Sequence, residues 1–291
     1  MILLSGCGER KTVSDEKAEI NIPKNAVISY LGPEGTYTEE AAKQFFGTDS
    51  DTRPQTTVAD AVDMLLDGNC DYAVIPQENT IGGPVYDYLD EFLAHKELSV
   101  VGEIELPIRQ ALLAKEGASL ENIRTVYSHK QGITQGADWL KNNLPSAEVI
   151  EVSSTAEGAK MVSKSDSGNY AAIASLGAAK VYGLSVLAEN IQMNEDNKTR
   201  FYVLSTDTPS KKASDRIVFT ACGEAAELPE LLCKTEQLGL TPLYIHDRPE
   251  KTVMGRYVWL IECEGGGFNE FTEISNGSEL ELQYRGAFSV K

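Results

Sequence analysis

The chain has 291 residues, 26 Lys and Arg against 44 Asp and Glu, a formal net charge of −18, and 42% hydrophobic residues. That much apolar material supports real cores and excludes a disordered chain, and the length suits about two domains at roughly 150 residues each. The acidic balance excludes a nucleic-acid-binding surface, which needs clustered Lys and Arg, and no apolar run reaches the ~18 residues of a membrane-spanning helix.

At the start, Leu4-Ser5-Gly6-Cys7 matches a bacterial lipoprotein cleavage box, and residues 8–23 read as a polar tether. A secretory signal needs a basic region and an apolar stretch of ~7 to 15 residues, which Met1-Ile-Leu-Leu does not supply. The expectation is a cytoplasmic protein. The alternative, a lipid anchor through Cys7 outside the cytoplasmic membrane, requires a start further upstream. Cys7, Cys70, Cys222, Cys233 and Cys263 are odd in number, scattered and without a CxxC pair, which fits a reducing compartment. His95, His129 and His246 lie far from one another and from any cysteine at ligand spacing, so no metal site is expected.

From Lys24 onward, short apolar runs alternate with amphipathic stretches, the pattern of an α/β architecture. Strands are predicted over 26–31, 72–76, 99–106, 111–116, 125–128, 148–153, 170–175 and 200–205. Helices are predicted over 38–46, 57–67, 84–95, 132–143, 155–164 and 177–183. Residues 206–215 (TDTPSKKASD) read as a linker. Beyond it the order is strand (216–223), helix (226–238), strand (240–246), strand (256–264), helix (268–275) and strand (279–290). That is a ferredoxin-like βαββαβ module.

Three strand-to-helix junctions share one design. Thr36 to Glu39, Ser128 to Gln131 and Ser154 to Glu157 each read as a capping box behind a strand. A capped helix start aims free N–H groups and the positive dipole end past the carboxyl edge of a sheet, where open α/β sheets bind ligands. Such ends facing one crevice would hold a small polyanion despite the acidic chain, although any α/β protein needs caps for folding alone. Pro76-Gln-Glu-Asn-Thr80 places acidic, amide and hydroxyl groups at a strand end. Asn197-Lys-Thr-Arg-Phe201 offers a hydroxyl, a guanidinium fork suited to a carboxylate, and an apolar wall.

These segments resemble the prephenate dehydratases that carry a C-terminal ACT regulatory domain. YLGPEGTYTEEAA (30–42), AVIPQENTIGG (73–83), VYSHKQGITQGADWL (126–140), SSTAEGA (153–159), AAIASLGAAKVYGL (171–184) and NIQ…NKTRF (190–201) follow in the family's order. Residues 1–23 are read from their composition as an N-terminal leader or tether, and the resemblance implies a catalytic domain over 24–208. That domain would be a type II, periplasmic-binding-protein-like pair of α/β lobes, one of 24–104 plus 187–208 and the other of 105–186. The ACT domain would occupy 214–291. The implied reaction converts prephenate to phenylpyruvate, water and carbon dioxide in phenylalanine biosynthesis, with no metal or organic cofactor. The implied assembly is a homodimer or homotetramer.

By the same resemblance, Thr199 assists the departing hydroxyl with a positioned hydrogen bond, and Glu78 is the candidate proton carrier. Asn79, Thr80, Ser128 and Gln135 would hold carboxylate or keto oxygens, with backbone N–H groups at Gly35 and Thr36. His129 stands beside the substrate at a helix start, without an acid–base role. Arg200 would orient a substrate carboxylate or brace the turn, and Phe201 would wall the ring. Departures from the family pattern are Gln110, Lys130, Gly136 and Met193-Asn194, all expected around the cleft.

The ACT region departs further. Ala226-Glu227-Leu228 stands for the family's GAL segment and His246-Asp247-Arg248-Pro249 for its ESRP segment. Glu227 brings a negative charge to where an amino-acid carboxylate would sit, so feedback by phenylalanine is expected to be weak or absent. Two other readings share these motifs. One is an arogenate dehydratase; the other is a non-catalytic carboxylate-binding protein of the same fold, which would have no use for a hydroxyl aimed at a leaving group.

Overall fold

The computed structural model describes Ile20 and residues 22–290, so the Leu4 to Cys7 box lies outside the described residues. The first lobe runs β1 (Val27–Leu31), α1 (Tyr37–Phe46), β2 (Asp51–Gln55), α2 (Val58–Leu66), β3 (Tyr72–Asn79), β4 (Gly83–Pro84), α3 (Tyr86–Ala94) and β5 (Ser99–Pro107). The second runs β6 (Ala111–Ala114), β7 (Thr125–Ser128), α4 (Lys130–Gln135), α5 (Ala137–Asn143), β8 (Glu148–Glu151), α6 (Thr155–Lys164), β9 (Tyr170–Ala174), α7 (Leu176–Tyr182) and β10 (Ser185–Ala188). The chain then returns as β11 (Lys198–Ser205) to the first sheet, whose order is β2-β1-β3-β11-β5. The second sheet is ordered β10-β6-β9-β7-β8.

β3 shows why these runs become strands. Its first four residues, Tyr72 to Ile75, are all buried, as expected for a central strand covered on both faces. Helices close over it: α2 starts on a complete Thr57/Asp60 capping box and turns Val58, Ala61, Val62 and Leu65 into the core. β2 and β10 go beyond the predicted strands. β2 reads DTRPQ and pairs only with β1, at the rim, where a polar strand containing proline is tolerated. The predicted helix 132–143 is two helices meeting at Gly136. A Cβ there would come within 2.9 Å of Ile173 Cδ1.

Two crossing segments join the lobes, at 108–110 and 189–197, a few residues beyond the expected boundaries. They are tied to each other: Ile108 N–H donates to the Asn197 carbonyl (2.8 Å) and Ile191 N–H to the Gln110 carbonyl (3.0 Å). Gln110 also donates from Nε2 to Gln135 Oε1 at 2.8 Å, so the side chain at this departure from the family pattern joins the crossing to α4.

The remaining chain forms β12 (Arg216–Glu224), α8 (Leu228–Gln237), β13 (Thr241–Pro249), β14 (Arg256–Glu264), α9 (Phe268–Ser275) and β15 (Glu281–Phe288), in a sheet ordered β13-β14-β12-β15. One face packs Ile217, Phe219, Trp259 and Ile261 with Leu231 of α8 and Phe271 and Ile274 of α9. On the other face, Val218, Leu260 and Phe288 share a single core with Ile75, Tyr88, Phe92, Tyr202 and Leu204 of the first lobe. Arg285 crosses this junction, buried, and donates to the Phe92, His95 and Leu98 carbonyls around the end of α3. Among the described residues, no helix is long and apolar enough to cross a membrane.

Candidate functional site

The carboxyl edges of the two sheets face each other. Gly35, in the turn after β1, is seated on α7: Ser175 Oγ donates to its carbonyl at 3.2 Å, and Tyr182 Oη donates to the Glu34 carbonyl at 2.7 Å. Between the lobes lies a cleft of about 660 Å³, a size typical of small-molecule sites. Thr36 and Thr38 at the start of α1 line one side; Ser153, Ser154 and Lys160 around the start of α6 line the other. Two of the three predicted boxes keep their cap bond at this edge, without the reciprocal bond from the cap N–H to the glutamate. Thr36 Oγ1 accepts from Glu39 N–H (3.4 Å), and Ser154 Oγ accepts from Glu157 N–H (3.0 Å). The third moves by one residue: His129 caps α4 through Nδ1, which accepts from Gln131 N–H at 3.3 Å.

At the same edge of the first sheet, Asn79 and Thr199 stand opposite each other on β3 and β11. Asn79 Nδ2 has two hydrogens and finds Thr199 Oγ1, Asn197 Oδ1 and the Lys198 carbonyl, each at 2.9 Å. Its Oδ1 accepts from Ile81 and Gly82 N–H groups at 3.0 and 2.8 Å. Asn79 is therefore saturated within the chain. Thr199 is not: its oxygen accepts from Asn79, which leaves its own O–H free to donate outward. The lobes also approach here, since a Cβ on Gly82 would fall 2.6 Å from Gln131 Nε2 of α4.

Several residues expected to hold substrate have polar atoms engaged within the chain. Thr80 Oγ1 donates to Asn197 Oδ1 (3.1 Å) and accepts from Lys198 N–H (3.0 Å). Ser128 is fully buried and donates to the Ile173 carbonyl at 2.7 Å, tying β7 to β9. Gln135 is buried against the crossing segment, with Oε1 occupied by Gln110. The Gly35 N–H donates to Glu39 Oε2 at 2.5 Å, so it is not a free anion donor. Phe201 is 1% exposed and packs with Ile28, Tyr30 and Ile104 in the core, so it does not wall an open cleft.

Arg200 departs most from expectation. It is buried and turned toward the C-terminal sheet, where Nη1 donates to both oxygens of Glu262 (2.8 and 2.9 Å) and to Glu103 Oε2 (3.0 Å). Its Nε and Nη2 donate to Gln77 Oε1 at 3.2 and 2.9 Å, and Nη2 also to Tyr202 Oη at 3.4 Å. With every acceptor internal, the guanidinium has no hydrogen left for a substrate carboxylate. Burial pushes the Glu262 carboxyl up to about 8, against the pull of Arg200. Glu78, Asn79 and Thr80 line, with Arg200, Tyr244, Glu105 and Lys198, a second hollow of about 540 Å³ on the side of β13, apart from the cleft at Thr36 and Ser154.

The two expected regulatory segments lie at one end of the C-terminal sheet. Ala226 and Glu227 are in a 3-10 turn after β12, and Leu228 opens α8. His246, Asp247, Arg248 and Pro249 lie on β13. His246 Nε2 meets Gln77 Nε2 at 2.8 Å, and burial holds its imidazole below the usual histidine range, so the neutral ring accepts. Arg248 pairs with Asp90 of α3 through two bonds of 2.5 and 2.7 Å. No group of His, Cys, Asp and Glu among the described residues is arranged to hold a metal ion.

Residues missed in the sequence are Thr38, Ser153, Ser154 and Lys160 of the cleft, and Gln77, Glu103 and Glu262 around Arg200. Ser154 carried a signal as a helix cap; the carboxylates around Arg200 carried none, being remote in sequence.

A family model for prephenate dehydratase matches residues 28–209. A bifunctional chorismate mutase/prephenate dehydratase of Neisseria gonorrhoeae is 38% identical over 246 residues, 84% of this chain and 68% of that protein, so the chain spans about two thirds of it. A prephenate dehydratase of Bacillus subtilis is 31% identical over 251 residues, 81% of this chain and 88% of the relative. The solved structure of a prephenate dehydratase from Arthrobacter aurescens, in complex with L-Phe, is 27% identical, covers 90% of each chain and superposes with a TM-score of 0.80.

Proposed function

The chain belongs to the prephenate dehydratase family, and from that premise we propose that prephenate is turned over between its two lobes, at Thr199. The activity is that of a hydro-lyase: prephenate loses its ring carboxylate as carbon dioxide and its ring hydroxyl as water, and phenylpyruvate remains. Two electrons left by the departing carboxylate complete the aromatic ring, which supplies the thermodynamic drive. The barrier lies in the other bond, because hydroxide leaves badly unless its oxygen is hydrogen-bonded or protonated as it departs.

The observation that carries this reading is the direction of one hydrogen bond. Asn79 donates to Thr199 Oγ1, so the threonine proton is turned outward, to the developing negative charge on the leaving oxygen. Asn79 is a positioning residue here. The capped starts of α1 and α6, with Thr36, Ser153, Ser154 and Lys160, would meet the two carboxylates of the dianion. Contact between the lobes through Gly35 and α7 brings the two edges to one cleft, and closure over bound substrate would exclude water and strengthen each dipole acting on the ring.

In purified protein given prephenate at neutral pH, with phenylpyruvate read by its alkaline absorbance, Thr199→Ala is expected to cut turnover ~10²-fold, the scale of losing one preorganised donor. A Thr199→Ala variant near the wild-type rate would falsify this assignment.

For the remainder of the chain, we take 24–208 as the catalytic domain and 214–291 as an ACT domain. The order β12-α8-β13-β14-α9-β15 and the antiparallel sheet support that reading. Its edge strand β13 leaves Leu243 and Ile245 exposed, which suits pairing with a second copy in a homodimer.

A further inference from the structure

We propose that Glu262 of the C-terminal sheet is a positioning residue for catalysis, acting through Arg200 on the end of β11 that carries Thr199. The inference rests on the reading of Thr199 given above. Adjacent residues of a strand face opposite ways, so the grip on Arg200 sets the twist of the backbone from which Thr199 projects.

That grip comes from four other strands. Gln77 belongs to β3, Glu103 to β5, Tyr244 to β13 and Glu262 to β14. Glu262 accepts from Arg200 with both oxygens, and the Tyr202 hydroxyl donates to it as well. Arg216 of β12 adds an ion pair at 3.4 Å. The Tyr244 ring centre lies 3.5 Å from the guanidinium carbon and closes the remaining side. Glu262 is 1% exposed and Arg200 5%, so the pair lies almost wholly out of bulk water.

The backbone is irregular at the same place. Pairing between β3 and β11 steps from Arg200↔Glu78 to Phe201↔Pro76, which leaves Gln77 as the extra residue of a bulge. A bulge re-aims the side chains beside it and needs outside contacts to hold one geometry. Gln77, the unpaired residue, is the one whose amide oxygen takes two bonds from Arg200. Arg200 thus locks the bulge, and Glu262 locks Arg200. Beside it, Asn79 and Thr199 take their mutual bond from the register so fixed.

Removing the Glu262 carboxyl group leaves a buried guanidinium short of an acceptor, which it recovers only by moving. Movement of about 1 Å at a reacting group costs up to ~10²-fold in rate.

The test is kcat and KM for prephenate on the full chain in two backgrounds, wild type and Thr199→Ala. Glu262→Ala is expected to lower kcat about tenfold or more with KM within about twofold. In the Thr199→Ala background the same change is expected to cost less than about twofold, because the group it positions is gone. Glu262→Gln, which keeps an acceptor oxygen in place, should restore most of the rate. Tyr244→Leu, which opens the other side of the guanidinium without removing a charge, should show the same masking, and it decides the matter if Glu262→Ala fails to fold. An equal loss of kcat in both backgrounds, or an unchanged kcat in the wild-type background, overturns the inference. A Thr199→Ala variant with the wild-type rate instead overturns the reading beneath it.

Discussion

A threonine hydroxyl is too weak an acid to protonate a leaving group by itself, so its value lies in where its one proton points. In this chain the lone pairs of Thr199 face Asn79 and the proton does not. A second residue-scale consequence concerns Glu262. Burial holds its carboxyl at about 8, above its ordinary value of 4.5 in an unfolded chain, with Glu103 and Glu78 adding to the rise and Arg200 opposing it. The folded protein therefore binds more protons than the unfolded one between about pH 4.5 and 8. The stability this supplies is complete below that window and is lost as pH rises through it. Across the cluster, Arg200, Arg216, Glu103, Glu78, Tyr202, Tyr244 and His246 face the same junction and stay constant in a comparison with Glu262→Gln. The wild type should lose more in melting temperature between pH 5.5 and 8.5 than the Gln variant does. Equal losses would show that Glu262 does not titrate in this range.

At the scale of elements, the turn between β1 and α1 joins the lobes. Gly35 has φ of +81°, and an added Cβ would sit 3.0 Å from Ala178 Cα and 3.2 Å from Tyr182 Cε2, both on α7. Gly35→Ala thus meets two costs, a left-handed backbone of about 1–2 kcal/mol and a clash that pushes α7 away. The expected result is a lower urea midpoint together with a raised KM, since the same contact sets how the two lobes approach. A variant that lost stability at an unchanged KM would separate the turn from substrate binding. Insertion of β11 between β3 and β5 matters equally, for it brings Thr199 to the edge where Asn79 ends.

At the scale of the molecule, the C-terminal sheet is fused to the first lobe by a shared core and by Arg285, Arg200 and Arg248. His246 and Arg248 are committed to the first lobe, and Glu227 sets a carboxylate beside the 3-10 turn, so two parts of the expected amino-acid site are altered at once. Millimolar phenylalanine is expected to leave turnover within about twofold and the melting temperature unmoved, by steady-state assay and thermal scan; on the linkage relation, a tight ligand at 100 times its Kd would add roughly 2.7 kcal/mol. Strong inhibition or a clear upward shift would show a working regulatory site.

The order of strands and helices, the βαββαβ ending and the caps at Thr36 and Ser154 were legible in the residues, because periodicity and capping depend on neighbours within a few positions along the chain. β2 was not, since DTRPQ owes its extended form to the adjacent β1 and not to its own composition. The same holds for Ser128, Arg200 and Phe201. Each belongs to a motif that suggests a ligand, yet their partners Ile173, Glu262 and the Ile28 core come from distant parts of the chain. A motif names the groups available for chemistry. Which of them keep a free proton or a free lone pair is decided by tertiary contacts, since a buried polar group takes whatever partner the fold sets beside it.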